Sequence, residues 1–548
     1  MRPHLRLVWA LVTLAGLGLG LALFVYAPPA GHATVVLADA RFLASLERAL
    51  VAFNRYYPQH TITLTEVTGD YRQAVRRGTA ALALVRGQGP PLFYAPILLA
   101  VAPLDALETI SLTRAQRLLQ GYDPARELEP VELESVRSRG FMRPGEVATA
   151  AWTERAAWLR PLAIDGIEPS YDHVRSGRYP LHIAAVVVKP HPLVWRYTRR
   201  VPASAKAFLE FLQSSPGQQA LYGQEPEITL LAVGDVMLGR GVAAKMRLHG
   251  LDYPFAQVRE LLTGADLVFA NLESPLGVRG RPIPNKLIWF RGPPEGAAVL
   301  RDAGIDVVAV ANNHILDYDT ESLMETLGLL HQHGVAWAGA GSNLEEARRP
   351  AVLERNGITV AFLAYTEFAD ANLFWSRRYP RTFLAGPQVA GCAPMDLELI
   401  TEDVALARTR ADIVVVSFHW GQEYVNFPQS YMGQDLQEVA RRTIDAGAHL
   451  VLGHHPHAIQ GIEFYRGAII AYSLGNFVMD QTRPITTESM ILRIGLSAGG
   501  VRSLQVLPVR IRGHRPELAT GNDGAYLIDK IRSVSLPLYP QPAQLQGR

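Results

Sequence analysis

The chain has 548 residues, 48% apolar and 19% charged, with a formal net charge of +2. That length implies more than one domain, and the near-neutral balance excludes a strongly basic nucleic-acid binder and an acidic disordered chain. The single cysteine, Cys392, excludes an internal disulfide, a thiolate zinc cluster and an iron–sulfur site.

Leu7 to Ala27 is an apolar run of about 21 residues, long enough for a helix to span a bilayer. Arg2, His4 and Arg6 precede it and no Lys or Arg follows until Arg41, which predicts a cytoplasmic N-terminus and an extracytoplasmic bulk. The expected arrangement is a stub and signal anchor over 1–32, with one pass over about 7–27 at the cell membrane. Small residues around Gly31-His32-Ala33 leave cleavage as the alternative.

Residues 33–225 alternate short strands with amphipathic helices. Thr34–Leu37, Thr61–Val67, Ala80–Val85, Ile97–Val101 and Leu181–Val188 read as strands; Phe42–Tyr56 and Ser204–Gln213 read as helices. The alternation predicts an α/β domain closing at Gly223-Gln-Glu-Pro-Glu227.

From 227 to 520 near-continuous apolar runs end in polar tips, as strands covered on both faces do. The runs are Ile228–Asp235, Asp266–Glu273, Val307–His314, Thr359–Thr366, Ile413–His419 and His449–His457, with helices over Ala297–Gly304, Glu321–His333 and Gln434–Ala446. Their tips read GDVMLGR (234–240), NLES (271–274), NNHILDYD (312–319), HWGQEY (419–424) and GHHPH (453–457), followed by YSLGNF (472–477). Active sites of such sheets collect at the carboxyl ends of the strands. Asp, Glu, Asn and His converging there mix hard oxygen donors with imidazoles, a set that suits Mn, Fe or Zn, as one ion or two.

These motifs, in this order, resemble the CapA family of bacterial capsule and poly-γ-glutamate synthesis proteins, over roughly 228–515. That family in turn looks like the calcineurin-type metallophosphatases. The resemblance implies a four-layer αββα sandwich with a dinuclear metal centre. It also implies roles for single residues. Asp235 matches the aspartate of the first metallophosphatase motif, and Glu273 stands where the bridging aspartate would be. Asn313 matches the asparagine ligand, His314 the histidine that protonates the leaving group, His419 the lone histidine of the next strand, and His455 and His457 the paired histidines of the last motif. His454 is then an extra imidazole. The family's Asp-x-His reads Asp235-Val236-Met237 here, and a thioether is a poor ligand for a hard ion. In the first half, APILLAVAPLDALETISLTRAQRLLQGY (95–122) and KAFLEFLQSSPGQQALY (206–222) resemble phosphate-type periplasmic solute-binding proteins, although the first loop, Ala38-Asp-Ala-Arg41, lacks the hydroxyls that hold an anion there.

Several neighbours keep two readings. Asp317 either orients His314 or caps the helix near Thr320, and Arg240 either grips an anionic substrate or forms a surface salt bridge. Glu423 is a second acid or base near His419, or a solvated loop residue. Asn476 is placed in the cleft. The 366–396 segment, with Phe368, Phe374, Trp375, Tyr379 and Phe383, reads as an aromatic lid that brings Trp375 to the substrate. Strands over 489–511 turn at Ala498-Gly-Gly500, and a helix over Ala525–Ile531 opens a Pro-rich segment at 521–548.

The expected protein is thus a single-pass membrane protein with a metal-dependent hydrolase or transferase site, catalysed by His314, Asp317 and Arg240. Its partners would be the membrane, an acidic surface polymer or phosphorylated substrate, and other capsule-synthesis subunits, with no nucleic acid. A non-catalytic assembly component and a solute-binding sensor are the alternatives.

Overall fold

The computed structural model describes residues 34–538 except 39, 68–69, 78–79, 81, 87–91, 103–108, 121–124, 126–127, 140–141, 143–145, 152–154, 157–158, 189–201, 224–225 and 372–376. The expected membrane span over 7–27 lies outside these residues, and among the described residues no helix is long and apolar enough to cross a membrane. The chain divides into two compact units. One holds Met1–Leu98, Ala151–Thr153 and Ile164–Gln224; the other holds Leu99–Ala150, Glu154–Ala163 and Glu225–Arg548.

In the first unit, Thr34–Ala38 pairs in parallel with Ile62–Glu66 and with Leu82–Arg86, and His182–Val188 runs antiparallel to the latter. Helix Ala40–Tyr56 buries Phe42, Leu46, Ala49 and Phe53, one stripe at helical spacing. The ring of Phe53 meets those of Phe208 and Phe211 at 5.2 and 5.6 Å, which seats helix Ala203–Gln213 against the same stripe.

The second unit contains two large sheets. Strand Glu227–Val236 lies parallel to Leu267–Leu272, which continues in parallel through Val307–Ala309 to Ala336–Ala338. On its other side it pairs antiparallel with Glu488–Ser497, then Gly500–Arg512 and Arg515–Leu518, and at its end in parallel with Asn476–Val478. The other sheet runs Ala351–Arg355, Ile358–Thr366, Ile413–His419, Leu450–His454, Ala468–Ala471, Ile462–Tyr465, with the middle strands parallel. Phe269 of the first sheet stacks on Phe362 of the second at 5.7 Å, so the sheets meet face to face.

Strand alternation sets which side chains reach the space between the sheets. Val414, Val416 and Phe418 join one core cluster with Ile400 and Val404 of helix Leu397–Arg408 and with Leu436, Val439 and Ile444 of helix Leu436–Asp445. Ile413, Val415, Ser417 and His419 therefore face the opposite sheet. Val451 lies in the same cluster, which turns Leu450, Leu452 and His454 inward as well. His419 and His454 are register partners at the ends of adjacent parallel strands. The expected strands thus form as sheets, their ends falling between one residue short of the hydrogen-bonded ladder, at Asp235, and five past it, at His314.

Candidate metal centre

Close backbone approach draws the tips together. A Cβ on Gly234 would sit 2.0 Å from the Gly475 carbonyl oxygen, and one on Gly453 would sit 1.8 Å from that of Tyr472. Asp235 consequently lies in register with both Asn271 and Asn476. Asn271 Nδ2 donates to Asp235 Oδ1 at 2.8 Å, and His454 Nδ1 stands 3.1 Å from the same oxygen.

A second asparagine ties the loops. Asn312 Nδ2 donates to the Leu272 carbonyl at 2.8 Å, while its Oδ1 accepts from the backbone N–H groups of His314 and Ile315 at 3.1 and 2.9 Å. This holds Asn313 and His314 beside Glu273. His455 and His457 have φ of 96° and 54°, left-handed values that β-carbon-bearing residues adopt at a cost of order 1–3 kcal/mol each. The two strained histidines flank Pro456, and both side chains enter the cluster.

Among the described residues, two groups have ligand atoms close enough to share an ion: Glu273, His419 and His455, and Asp235, Glu273 and His457. Glu273 belongs to both, which is the position of a bridge. Asn313 Oδ1 lies 3.0 Å from His419 Nε2 and joins the first group. All six carboxylate and imidazole side chains, His454 included, are buried.

The two groups differ in charge state without metal. Both oxygens of Glu273 are buried without a hydrogen-bond partner. Burial pushes the Glu273 carboxyl well above its ordinary range, with Asp235 adding to the rise and His457 opposing it. Burial would also raise Asp235, but the hydrogen bonds and charges of His454 and His457 hold it well below the usual carboxylate range. Burial acts to lower His457, and the neighbouring Glu273 and Asp235 overcome it, carrying the imidazole up to about 10. Burial holds His419 and His455 well below theirs, neutral as metal ligands must be. Asn476 Oδ1 lies 2.8 Å from His457 Nδ1; an N–H there leaves Nε2 for an ion, the second-layer arrangement usual for metal-binding histidines.

His314 stands beside this cluster. Its Nδ1 is 2.7 Å from Asp317 Oδ2, whose side chain also accepts from the Phe290 N–H at 2.6 Å and from Lys286. Helix Asp319–Gln332 starts after Asp317 and has no side-chain cap, so of its two readings Asp317 is placed in the orienting one. Burial lowers His314 to about 4, against the charge of Asp317. The Phe290 ring lies 3.8 Å from that of His314, and Phe368 covers the other side, 4.5 Å from His455.

Similarity to known proteins follows the same residues. Residues 229–481 match the model described as "Bacterial capsule synthesis protein PGA_cap". "PGA biosynthesis protein CapA" of Bacillus subtilis is 34% identical over 286 residues, 52% of this chain and 72% of that protein. The chain belongs to this family of bacterial capsule synthesis proteins. "Capsule biosynthesis protein CapA" of Bacillus anthracis is 31% identical over 300 residues, 54% of this chain and 71% of that protein. The first half is similar to an ABC-type phosphate transport receptor from Vibrio cholerae, at 11% identity and a TM-score of 0.26 over 35% of this chain and 98% of that one.

Within this family member, the tips bring together Asp235, Glu273, Asn313, His314, Asp317, His419, His455 and His457. Arg240 differs from its substrate-gripping role: its guanidinium is forked onto Asp480 at 3.1 and 2.7 Å, with its Cζ 5.0 Å over the Phe290 ring. Glu423 is exposed, yet its charge acts on Glu273 and His457. Asn476 is buried behind His457, donating to Gln481 and the Thr486 carbonyl, so it supports the cluster from outside the cleft. Met237 is buried, and its sulfur accepts the Gly239 N–H at 3.0 Å. Trp375 and Phe374 lie outside the described residues. Tyr379 and Phe383 are buried, Tyr379 reaching Asp319 at 3.4 Å and Phe383 taking Lys286 over its ring at 5.6 Å.

Sequence reasoning missed Lys286, Asn271 and Asn312. Lys286 is nearly fully buried, bonded to Asp317 and the Asn313 carbonyl and 3.3 Å from His314 Nδ1. Burial lowers its ammonium, against Asp317. It is one of five lysines among 53 basic residues, and that rarity was the available signal.

Proposed function

We propose that the chain is a membrane-anchored, extracytoplasmic accessory protein of polyglutamate-type capsule synthesis, with a metal-dependent hydrolase or transferase site at its strand tips. The observation that carries this reading is Glu273, a buried carboxyl with no hydrogen-bond partner, shared by two ligand groups. Glu273, Asn313, His419 and His455 would hold one divalent ion, and Asp235, Glu273 and His457 a second. When bound, such ions supply Lewis acidity toward an ester, amide or phosphoryl oxygen.

The chain's own residues do the rest. Asp317 fixes the ring of His314 through Nδ1, which leaves Nε2 to exchange a proton with the reacting group. With its pKa near 4 the ring is neutral at pH 7, so it accepts a proton before it gives one. Phe290 and Phe368 wall the cluster and reduce the access of bulk water. The capsule role rests on the names of the Bacillus relatives, and the anchor on the apolar 7–27 run.

The test is elemental analysis of the purified full chain, paired with hydrolysis assays on phosphoesters and on γ-glutamyl oligomers. Bound Mn, Fe or Zn, lost together with hydrolysis in Glu273→Ala and His419→Ala, is the expected result. A chain that takes up no such metal after soaking overturns the reading. One observation favours the non-catalytic alternative: the Met237 sulfur faces a backbone N–H, so the Asp235 group lacks an imidazole on that side. In that case polymer display persists in a His314→Ala strain.

A further inference from the structure

The loop between Glu273 and helix Gly296–Asp302 does more than carry Lys286 into the site. From Ser274 to Pro294 it contains Arg279, Arg281, Lys286 and Arg291 and no Asp or Glu. Its tip exposes apolar side chains in succession: Leu287 is 93% exposed, Ile288 52% and Trp289 37%, with Val278 at 69% nearby. Scattered exposed apolar residues are ordinary, but three consecutive ones at a loop tip are not.

Looseness does not account for this exposure. Glu325 Oε2 accepts from the backbone N–H groups of Val278 and Arg279 at 2.8 and 2.6 Å. The Arg291 guanidinium donates to the carbonyls of Val278 and Arg279 at 3.2 and 2.7 Å and lies 3.3 Å over the Tyr318 ring. Trp289 Nε1 donates to the Ile283 carbonyl at 3.0 Å, and Ile283 N–H donates to the Asp317 carbonyl at 3.0 Å. A loop tied at these points holds its apolar tip outward. Around the same site, a second loop exposes Phe427, Tyr431 and Met432 at 58%, 54% and 50%, with Tyr431 5.8 Å from Phe368.

We infer that the 278–289 tip is an interfacial membrane contact, which lays the mouth of the metal centre against an anionic bilayer surface. The chemistry selects this occupant. Arg279 and Arg281 are exposed cations beside Leu, Ile and Trp, the combination that seats a segment at the headgroup boundary of anionic lipid. An acidic polymer would pair with the arginines and gain nothing from Leu287. This contact is separate from any anchor at 7–27 and does not depend on the hydrolase reading.

The test uses the full chain carrying Leu287→Cys, labelled there with an environment-sensitive nitrobenzoxadiazole dye; the native Cys392 is buried. A Leu518→Cys chain labelled in the same way is the control, since Leu518 is exposed on an edge strand. Vesicles of phosphatidylglycerol and phosphatidylcholine are added at low salt. The expected result is a severalfold brightening at 287, quenched by doxyl-labelled lipid, absent at 518, and reduced in the Arg279→Glu/Arg281→Glu background. A circular-dichroism spectrum and a melting temperature unchanged in every variant show that the fold is intact. A dark label at 287 on a chain that still sediments with vesicles overturns the inference while leaving the anchor standing. Brightening that requires membrane protein extract, and does not occur with protein-free vesicles, overturns it in favour of a protein partner.

Discussion

Oε1 of Glu273 lies 3.7 Å from Nε2 of His457, and neither Glu273 oxygen accepts a hydrogen bond. A buried carboxyl in that position is costly when charged, and its raised pKa expresses the cost. Because the folded state keeps the proton that the unfolded state releases, Glu273 subtracts stability as pH rises past the ordinary carboxyl range. A bound cation reverses this balance. Metal at a hundredfold excess over its Kd should raise Tm by roughly 3–5 °C. Glu273→Gln should raise the metal-free Tm while abolishing the metal-induced increase. Thermal melts of both proteins with and without chelator check the two signs together.

His457 gives the opposite linkage. Its folded pKa of about 10 exceeds the ordinary 6.5, so its contribution is fully present below pH 6.5 and is lost as pH rises toward 10. Asp235, held low by His454 and His457, contributes above the ordinary carboxylate pKa and loses that contribution as pH falls through its folded value. Metal-free protein should therefore lose stability across pH 6.5–10, and His457→Gln should flatten that limb. Urea unfolding in chelator at half-unit pH steps measures it.

The two ligand groups are unequal, and Met237 is the reason. The Glu273 group has Asn313 and two neutral imidazoles, whereas the Asp235 group has one imidazole, itself protonated without metal. After dialysis the wild-type chain should keep about one ion, bound by Glu273, Asn313, His419 and His455, because each added neutral imidazole strengthens a site. Met237→His should bring the content to about two. His419→Ala should remove the retained ion, and His457→Ala should leave it in place. Elemental analysis of the four proteins decides.

Legibility in the sequence followed burial and period. The strands ending at His419 and His454 are apolar but for Ser417 because both faces are covered, and their polar ends stand out for that reason. His314 and Asp317 were readable as a pair from their three-residue spacing. Lys286 was not, since it arrives from a loop with no periodicity and its partners lie 27–31 residues away. For Arg240 the salt-bridge alternative had no visible partner, because Asp480 lies 240 residues on and carries no motif. Asn476 reads from the sequence as a cleft residue, and only the register with Asp235 reveals that it backs His457.

The Lys286–Asp317 pair is buried on both sides, with side chains 5% and 0% exposed. Removing one partner of such a pair leaves the other charge without compensation, a loss of about 3–5 kcal/mol. Asp317→Ala and Lys286→Met should each destabilise the fold on that scale in urea unfolding. Replacing both, as Lys286→Met/Asp317→Leu, removes the two charges together and should recover much of the loss. His314 does not recover in the double variant, because its Nδ1 has lost the Asp317 oxygen 2.7 Å away and the ring is no longer held. Stability should therefore return while any hydrolysis supported by the wild-type chain stays absent. A double variant as unstable as the singles would show that the site depends on the shape of this pair and not on its charge.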